Sequence, residues 1–505
     1  MTKKLFNKML VANRGEIAIR VMNACRLLGI PTLAVYSTAD KDAVHTQFAD
    51  EAAEIGPPPP RESYLAIDKI IQTALDHKCD AIHPGYGFLA ENPQLPEKCA
   101  GAGITFIGPS AESMRLMGNK VESRIKMATA GVPLIPGMRQ AGANLKDFEK
   151  AADEAGYPIL IKAAAGGGGK GMRVVQRFED LKDSVEAAKR EALNAFNDDT
   201  VYLEKYIENP RHIEFQILAD THGNTVHLFE RECSIQRRHQ KIIEETPSVA
   251  LTPEKRAEMG ETAVKVAQAA GYTNAGTVEF LFDKNSNFYF LEMNTRVQVE
   301  HPVTEMTTGA DLVVEQIRIA AGLEISEYSR NVVQRGHSIE CRIYAEDGEN
   351  NFLPSSGEIL YYEEPIGPGI RVDSGVTRGT VVGVEYDPIL AKLIVYAPDR
   401  ELAIEKMINA LKNYKILGIK SSRKFMMDVL MHPEFRSGRT YTDFIETHMI
   451  DRNTDYRAVA ELAAAVSTAA MMSKSKAAAG AGTKQIKPSP WQTIGPWEIG
   501  IRITK

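Results

Sequence analysis

The sequence predicts an α/β protein that opens with a doubly wound parallel sheet and continues into mixed α+β units. Three observations carry this expectation. Short apolar runs alternate with amphipathic helical stretches through about residue 110. A strand, a glycine-rich tip and a returning strand follow. From about residue 207 onward, strand-like segments precede long helices, with no internal repeat. The chain has 505 residues, 44% hydrophobic and 25% charged, an ordinary globular composition that excludes disordered, collagen-like and membrane classes. Its length fits about three domains of roughly 150 residues each.

The elements follow in order. KMLVAN reads as a buried strand, and GEIAIRVMNACRLLG places Ile17, Val21, Ala24, Cys25 and Leu28 on one helical face, with Gly29 able to end the helix. Pro31-Thr-Leu-Ala-Val-Tyr is the next strand. LAIDKIIQTALDHK, CDAIHPG and ITFIGPS continue the alternation. The first strand-to-helix turn, Asn13-Arg14-Gly15-Glu16, has one glycine where a dinucleotide fingerprint needs three, which disfavours a nicotinamide site. GYPILIKAAAGGGGKGMRVVQ, a charged helix and VYLEKYI form a small α+β unit. HIEFQILAD, TVHLFER, AGTVEFLFD and FYFLEMN are strand-like, as are the later GHSIECRIYAE, GEILYYEEP and VEYDPILAKLIVYA.

A formal charge of −6 asks for no nucleic acid partner. The five cysteines, Cys25, Cys79, Cys99, Cys233 and Cys341, are scattered and never spaced as CxxC, so neither a disulfide framework nor a structural zinc site is expected and a reducing cytoplasm fits. Asn13, Arg14 and Glu16 interrupt the first apolar run, which excludes a signal peptide. No run approaches the ~18 apolar residues of a membrane helix.

Two segments carry chemistry. In Tyr157-Pro-Ile-Leu-Ile-Lys162-Ala-Ala-Ala-Gly166-Gly-Gly-Gly169-Lys170-Gly171-Met172, glycines let main-chain amides approach phosphate oxygens. The P-loop template fails, because Gly171 follows Lys170 and Ala164 stands five residues before Gly169. Gly166, Gly168 and Gly171 match GxGxxG formally, but the strand-like MRVVQ follows where a helix is needed. A hairpin flap over phosphates fits better. In Phe290-Leu-Glu292-Met-Asn294-Thr-Arg296-Val-Gln298-Val-Glu300-His301-Pro, strand periodicity points residues 292, 294, 296, 298 and 300 to one face. Glu279, one strand earlier, can sit beside Glu292, and paired carboxylates with phosphates are how Mg²⁺ is commonly held.

These motifs resemble the biotin carboxylase component of biotin-dependent carboxylases, of the ATP-grasp superfamily, over about residues 5–447. VANRGEIA, LMGNK, EKYIENPRHIEFQ, ERECSIQRRHQK and ECRIYAED share in the match, and HPGYGFLAEN and RVQVEHPVTE narrow it to biotin enzymes. The resemblance implies an ATP-grasp fold: an N-terminal doubly wound domain over 1–118, ATP-grasp and C-terminal mixed α+β domains over 119–450 with a mobile glycine-rich lid at 134–206, and a linker and tail over 451–505. It implies that Lys120 and Lys162 contact ATP phosphates beneath Gly167, Gly168, Gly169 and Met172. Glu204, Lys205 and Ile207 would hold the adenine. His212, Gln236 and His239 would be nucleotide contacts, Leu281 and Ile419 apolar walls. Glu279, Glu292 and Asn294 would bind Mg²⁺ (or Mn²⁺).

The implied reaction phosphorylates bicarbonate to carboxyphosphate, which breaks to CO₂ and phosphate beside the biotin ureido ring. Arg296, Gln298 and the Val299 amide would hold bicarbonate, Glu300 would be the general base and Lys241 would steady carboxyphosphate. Arg342 would stabilise the enolate-like charge on biotin, an oxyanion-hole task, with Tyr86, Gly87 and Phe88 flanking the ring. Lys170 stands where arginine also occurs in the family, and Thr246 replaces an expected alanine. The Ala-Met-Lys-Met hairpin of fused carriers is missing; Ala470-Met471-Met472-Ser473-Lys474 has the wrong order. The expected substrate is therefore biotin on a separate carrier protein. The further expected partner is a carboxyltransferase subunit, and a homodimer is the expected assembly. The acceptor expected is acetyl- or propionyl-CoA, with pyruvate the alternative. The other readings are a carbamoyl-phosphate-forming ligase and a non-catalytic regulatory subunit that binds ATP. In the tail, Leu462–Gly482 has nine alanines in twenty-one residues. Beyond it, Trp497, Ile499, Ile501 and Ile503 alternate as a strand expected to dock on a partner, alongside Trp491.

Overall fold

The computed structural model describes residues 5–138, 144–164, 172–238 and 240–449, and beyond them only 465, 466 and 468. Two compact units divide the chain, Met1–Ile450 and Asp451–Lys505. The expected docking strand of the tail, with Trp491 and Trp497, lies outside the described residues.

The N-terminal part is doubly wound. Strands β1 (Met9–Val11), β2 (Thr32–Ser37), β3 (Glu51–Gly56), β4 (Ala81–His83) and β5 (Thr105–Phe106) form one parallel sheet in the order β3-β2-β1-β4-β5. Both faces are covered. Met9, Val11, Ala34 and Ala81 pack with Ala18, Val21 and Cys25 of the helix Gly15–Leu27, whereas Leu10, Leu33, Val35 and Ile82 pack with Ile70, Ala74 and Leu95 on the other side. Strands buried on two faces read as continuous apolar runs. Gly29, at φ +67°, closes the first helix as its position suggests.

Strand order reverses at β1, and ligands of such sheets gather in the crevice beyond the strand ends at that switch. The two loops flanking it are tied together. Asn13 Nδ2 donates to the carbonyls of Pro84 at 2.7 Å and Tyr86 at 2.8 Å.

A three-stranded antiparallel sheet follows: β6 (Ile159–Ala163), β7 (Arg173–Val175) and β8 (Val201–Lys205), with β6 central. Its core joins Ile159, Ile161 and Leu203 to Phe148 and Ala152 of the helix Leu145–Ala155 and to Val185 and Ala188 of the helix Leu181–Phe196. The glycine tip with Gly167, Gly168 and Gly169 lies outside the described residues. Where the chain enters this unit, Gly137 lies against β8, and a Cβ there would come within 2.3 Å of the Leu203 carbonyl.

The main scaffold is an eight-stranded antiparallel sheet. It comprises β9 (Arg211–Ala219), β10 (Thr225–Arg237), β11 (Gln240–Thr246), β12 (Asn274–Phe282), β13 (Phe288–Asn294), β14 (His337–Tyr344) and the strands Ile370–Ser374 and Ile389–Ala397. The order runs β13-β12-β9-β10-β11-β14, then Ile389–Ala397, then Ile370–Ser374 at the edge. One expectation is corrected here. The strand read through to residue 300 ends at Asn294; residues 295–300 form an irregular turn, and Glu300 stands at the N-terminus of the helix His301–Thr308.

A buried carboxylate locks the sheet to its C-terminal helix. Glu245 of β11 accepts from Arg400 Nε at 2.7 Å and Nη2 at 3.0 Å, and lies 2.7 Å from His337 Nε2. Burial alone would raise its pKa, but Arg400 and then His337 outweigh that and bring it to about 2. A carboxyl more acidic in the fold than in the unfolded chain contributes fully above pH 4.5, and this contribution fades as pH falls towards 2. Glu245→Gln is expected to lower unfolding free energy by about 3 kcal/mol at pH 7 and by much less at pH 3, measured by urea denaturation at both.

Candidate active site

Cross-strand register assembles the charged core of the site. Glu292 of β13 lies opposite Glu279 of β12, Glu279 opposite Glu214 of β9, and Glu214 opposite Arg231 of β10. Residues directly opposite share one face of a sheet, and like charges so placed repel. The row is held by cations from neighbouring elements. Lys241 Nζ touches Glu214 and lies 2.7 Å from both Glu279 and Glu300. Arg231 is fully buried; its Nε donates to Glu214 at 2.6 Å and its Nη2 to Gln298 at 2.9 Å. His212 Nε2 stands 2.8 Å from Glu279, while Gln236 Nε2 approaches the other ring nitrogen at 2.9 Å.

The irregular turn brings in the rest. Arg342 on β14 donates from Nε to Glu244 at 2.6 Å and from Nη2 to Glu300 at 3.0 Å. Glu300 therefore has Lys241 on Oε1 and Arg342 on Oε2. A carboxylate offers about four lone-pair directions, so two remain for a further donor. Arg296 is held by Glu91 at 3.1 Å and donates to Asn294 Oδ1 at 3.1 Å, and Glu91 also accepts from the Thr295 amide. Asn294 Nδ2 and Gln298 Nε2 each donate to Glu279 at 2.8 Å.

The electrostatics follow from this wiring. Burial would discharge Lys241, but Glu214, Glu279 and Glu300 hold it well above the usual lysine range. Burial would likewise raise Glu300 and Glu279; Lys241 with Arg342 holds the first, and Lys241 with His212 the second, well below the usual carboxylate range. Glu292 goes the other way, raised by burial and then by the like charge of Glu279. That imbalance is the observation by which a divalent cation fits. Two facing carboxylates, one of them pushed towards protonation by the other, are what a hard cation with oxygen ligands relieves.

Lys241, Glu279, Glu292, Glu300 and Arg342 line a cavity of about 480 Å³. Of the residues expected at the site, Lys120, Lys162, Met172, Glu204, Lys205, Ile207, His212, Gln236, Lys241, Glu279, Leu281, Glu292, Asn294, Arg296, Gln298, Val299, Glu300 and Arg342 line it. His239 lies outside the described residues, as does the glycine tip.

Three expectations change. Ile419 is not a wall of this cavity; it is buried in the C-terminal core with Ile416, Phe425 and Met426, and Thr442 lines the cavity instead. The Glu204 carboxylate is taken by Lys162 at 2.6 Å and by Arg124, and Lys205 Nζ donates to the Gly156 carbonyl at 2.8 Å. Both side-chain termini are therefore engaged within the protein. Phe88, half-buried, stacks on Tyr64 with ring centroids 4.9 Å apart, against the N-terminal core. Tyr86, in the same loop, is bonded through its hydroxyl to Glu16, and the Lys392 ammonium lies 5.9 Å from the centre of its ring. Sequence reasoning does not single out Glu91, Glu214, Arg231 or Glu244. Glu91, Glu214 and Arg231 lie in quoted motifs and Glu244 three residues beyond one, but only tertiary pairing shows their roles.

Three family descriptions match in succession. They are biotin carboxylase N-terminal domain over 5–114, carbamoyl-phosphate synthase L chain ATP-binding domain over 119–328, and biotin carboxylase C-terminal domain over 340–447. A pyruvate carboxylase subunit of Methanothermobacter thermautotrophicus is 53% identical, covering 88% of this chain and 90% of that one. Biotin carboxylase 1 of Bacillus subtilis is 51% identical, covering 88% and 99%. The biotin carboxylase domain of Hydrogenobacter thermophilus 2-oxoglutarate carboxylase, solved as a dimer with MgADP, ADP and bicarbonate, superposes with a TM-score of 0.85 at 48% identity, covering 89% and 99%.

Removing the central ammonium leaves three buried carboxylates facing one another. Lys241→Met is expected to cost about 3–5 kcal/mol of stability, the scale of an uncompensated buried charge. Lys120→Met, whose side chain lines the same cavity without an ion pair among the described residues, should cost less than about 1 kcal/mol. Urea denaturation of both variants checks the contrast.

Proposed function

The chain belongs to the biotin carboxylase family, and we propose that it phosphorylates bicarbonate with ATP and passes the carboxyl group to N1′ of biotin on a separate carrier protein. The observation that carries this reading is Glu300, gripped by Lys241 and Arg342 at one end of the cavity that also holds the facing pair Glu279 and Glu292. A base between two cations suits a reaction in which ATP, bicarbonate and carboxyphosphate are all anions.

Bicarbonate is a poor electrophile and must be activated first. Arg296, oriented by Glu91 and Asn294, presents its guanidinium for bidentate contact with bicarbonate. Gln298 and Val299 stand beside it in the lining. Glu300 is ionised and takes the bicarbonate proton as an oxygen attacks the γ-phosphorus of ATP and ADP leaves. An anion arriving at Lys241 competes with Glu300 for the ammonium and makes that carboxylate a stronger base. Carboxyphosphate, steadied by Lys241, then breaks to CO₂ and phosphate. The released phosphate takes the N1′ proton of biotin and N1′ bonds to the carbon of CO₂, while Arg342 stabilises the negative charge that develops on the ureido oxygen. Lys120 and Lys162 face the nucleotide phosphates. Glu279 and Glu292, with Asn294 beside them, would hold Mg²⁺, whose chemistry is to neutralise phosphate charge. The unit spanning 134–206 acts as a lid over the nucleotide.

The carrier, the carboxyltransferase and a second copy of the chain are the proposed partners, in the cytoplasm. Among the described residues, no helix is long and apolar enough to cross a membrane. Acetyl- or propionyl-CoA is the first reading of the final acceptor. Pyruvate is the second, favoured by the 53% identity to the Methanothermobacter protein. Carboxylation assays on the co-purified complex with each acceptor decide between them.

ATP hydrolysis that requires bicarbonate and yields carboxybiotin is the expected activity; hydrolysis indifferent to biotin overturns the reading. Glu300→Gln is expected to leave ATP binding nearly intact and slow biotin carboxylation by roughly 10²–10⁴, the scale of a general base. Single-turnover kinetics with free biotin measures it.

A further inference from the structure

Lys392 is fully buried, and no step above uses it. It sits on the strand Ile389–Ala397, directly opposite Arg342 on β14. Its ammonium donates to the Val299 carbonyl at 3.1 Å and lies 3.2 Å from Glu16 Oε2 and 3.6 Å from Asp373. Glu16 in turn accepts from the Tyr86 hydroxyl, and the Lys392 ammonium lies 5.9 Å from the centre of the Tyr86 ring. One buried cation thus bridges three separate pieces: the helix Gly15–Leu27 of the N-terminal sheet, the loop that carries Tyr86, and the turn that ends at Glu300.

We infer that Lys392 is a positioning residue, fixing the turn Val299–Glu300 against the Tyr86 loop so that the carboxyl donor and the acceptor ring meet in register. The inference rests on the biotin carboxylase reading of the cavity. Val299 immediately precedes Glu300, and a turn without regular hydrogen bonds must be pinned from outside to hold its carboxylate. Within 295–300, Glu91 pins Thr295 and Arg296, and Lys392 pins Val299. Close packing leaves this junction little slack. A Cβ on Gly375, at the end of the edge strand, would approach the Glu16 amide nitrogen to 2.6 Å. Burial would discharge Lys392, but Glu16 and then Asp373 outweigh it and hold the ammonium above the usual lysine range, so the cation of the bridge persists at neutral pH.

A bridge that serves the biotin side differs from a merely structural lysine in which kinetic constants it moves. Lys392→Met retains the length of the chain and removes the ammonium. With the full-length protein and free biotin as acceptor, kcat/KM for biotin is expected to fall at least about tenfold, while KM for ATP stays within about threefold. Glu16→Gln breaks the same bridge from its other end and serves if Lys392→Met does not fold; it should show the same split. The double variant should be no worse than the weaker single one, because both remove one connection. Equal losses on the ATP and biotin sides, or kcat/KM for biotin within about threefold of wild type in both single variants, overturn the inference. Wild-type protein that makes no carboxybiotin would overturn the biotin carboxylase reading itself, which keeps the two failures apart.

Discussion

The ammonium of Lys241 is the contact on which the site depends. Without it, Glu214, Glu279 and Glu300 would converge with no common cation. Each would carry a desolvation cost of several kcal/mol. The strand register makes the problem acute, since it puts Glu292, Glu279 and Glu214 in one row across three neighbouring strands. Sheets ordinarily avoid such rows. Here the row is flanked by Arg231 on β10 and Lys241 on β11, whose side chains reach it from the other half of the sheet. Two carboxylates of the row, Glu214 and Glu279, thus share the Lys241 cation, and Glu214 has Arg231 besides.

The compensation is incomplete, and its shortfall is localised. Glu300 and Glu279 are held well below the usual carboxylate range, so they are ionised. Glu292, at the far end of the row from Arg231, is raised. Surplus negative charge therefore collects where Glu279 and Glu292 face each other. Lys120 and Lys162 lie in the same cavity, and the Lys162 ammonium is partly neutralised by Glu204. A nucleotide and a divalent cation bound together add phosphate charge near the lysines and positive charge between the carboxylates. Ligands that bind only the folded state raise its stability, and the repulsion between these two carboxylates is what a bound cation would relieve.

Much of this was legible in the sequence. Alternating apolar runs and amphipathic helices were enough for the parallel sheet, since strands covered on both faces have no other simple pattern. Glu279 and Glu292 could be paired because each sits in an obvious strand and the two strands are adjacent. The same periodicity failed beyond Asn294. Polar residues continue to alternate there, but the chain leaves the sheet and turns into the helix His301–Thr308. Its path is fixed by Glu91 and Lys392, about two hundred residues before and ninety after, and no local pattern records such partners. Ile419 and Thr442 illustrate the reverse case: an isoleucine looks like a wall, yet the C-terminal core needs it, and a threonine takes the position on the cavity.

The surroundings of Arg342 show how burial can serve chemistry without adding bonds. Glu244 accepts from Arg342, and Glu340 lies directly opposite Glu244 on the neighbouring strand. Neither oxygen of Glu340 has a hydrogen-bond partner among the described residues. Ionised, Glu340 would be a third carboxylate around one guanidinium, after Glu244 and Glu300, and a buried unpaired charge besides. Burial raises its pKa well above the usual carboxylate range, which opposes that ionisation. Burial also brings Glu244 up to about 7 in spite of Arg342, so near neutrality that carboxyl is only partly ionised. Arg342 is thus oriented by hydrogen bonds without being fully neutralised by them. Arg342 lines the cavity, where burial strengthens the pull of its remaining charge on any anionic group that enters.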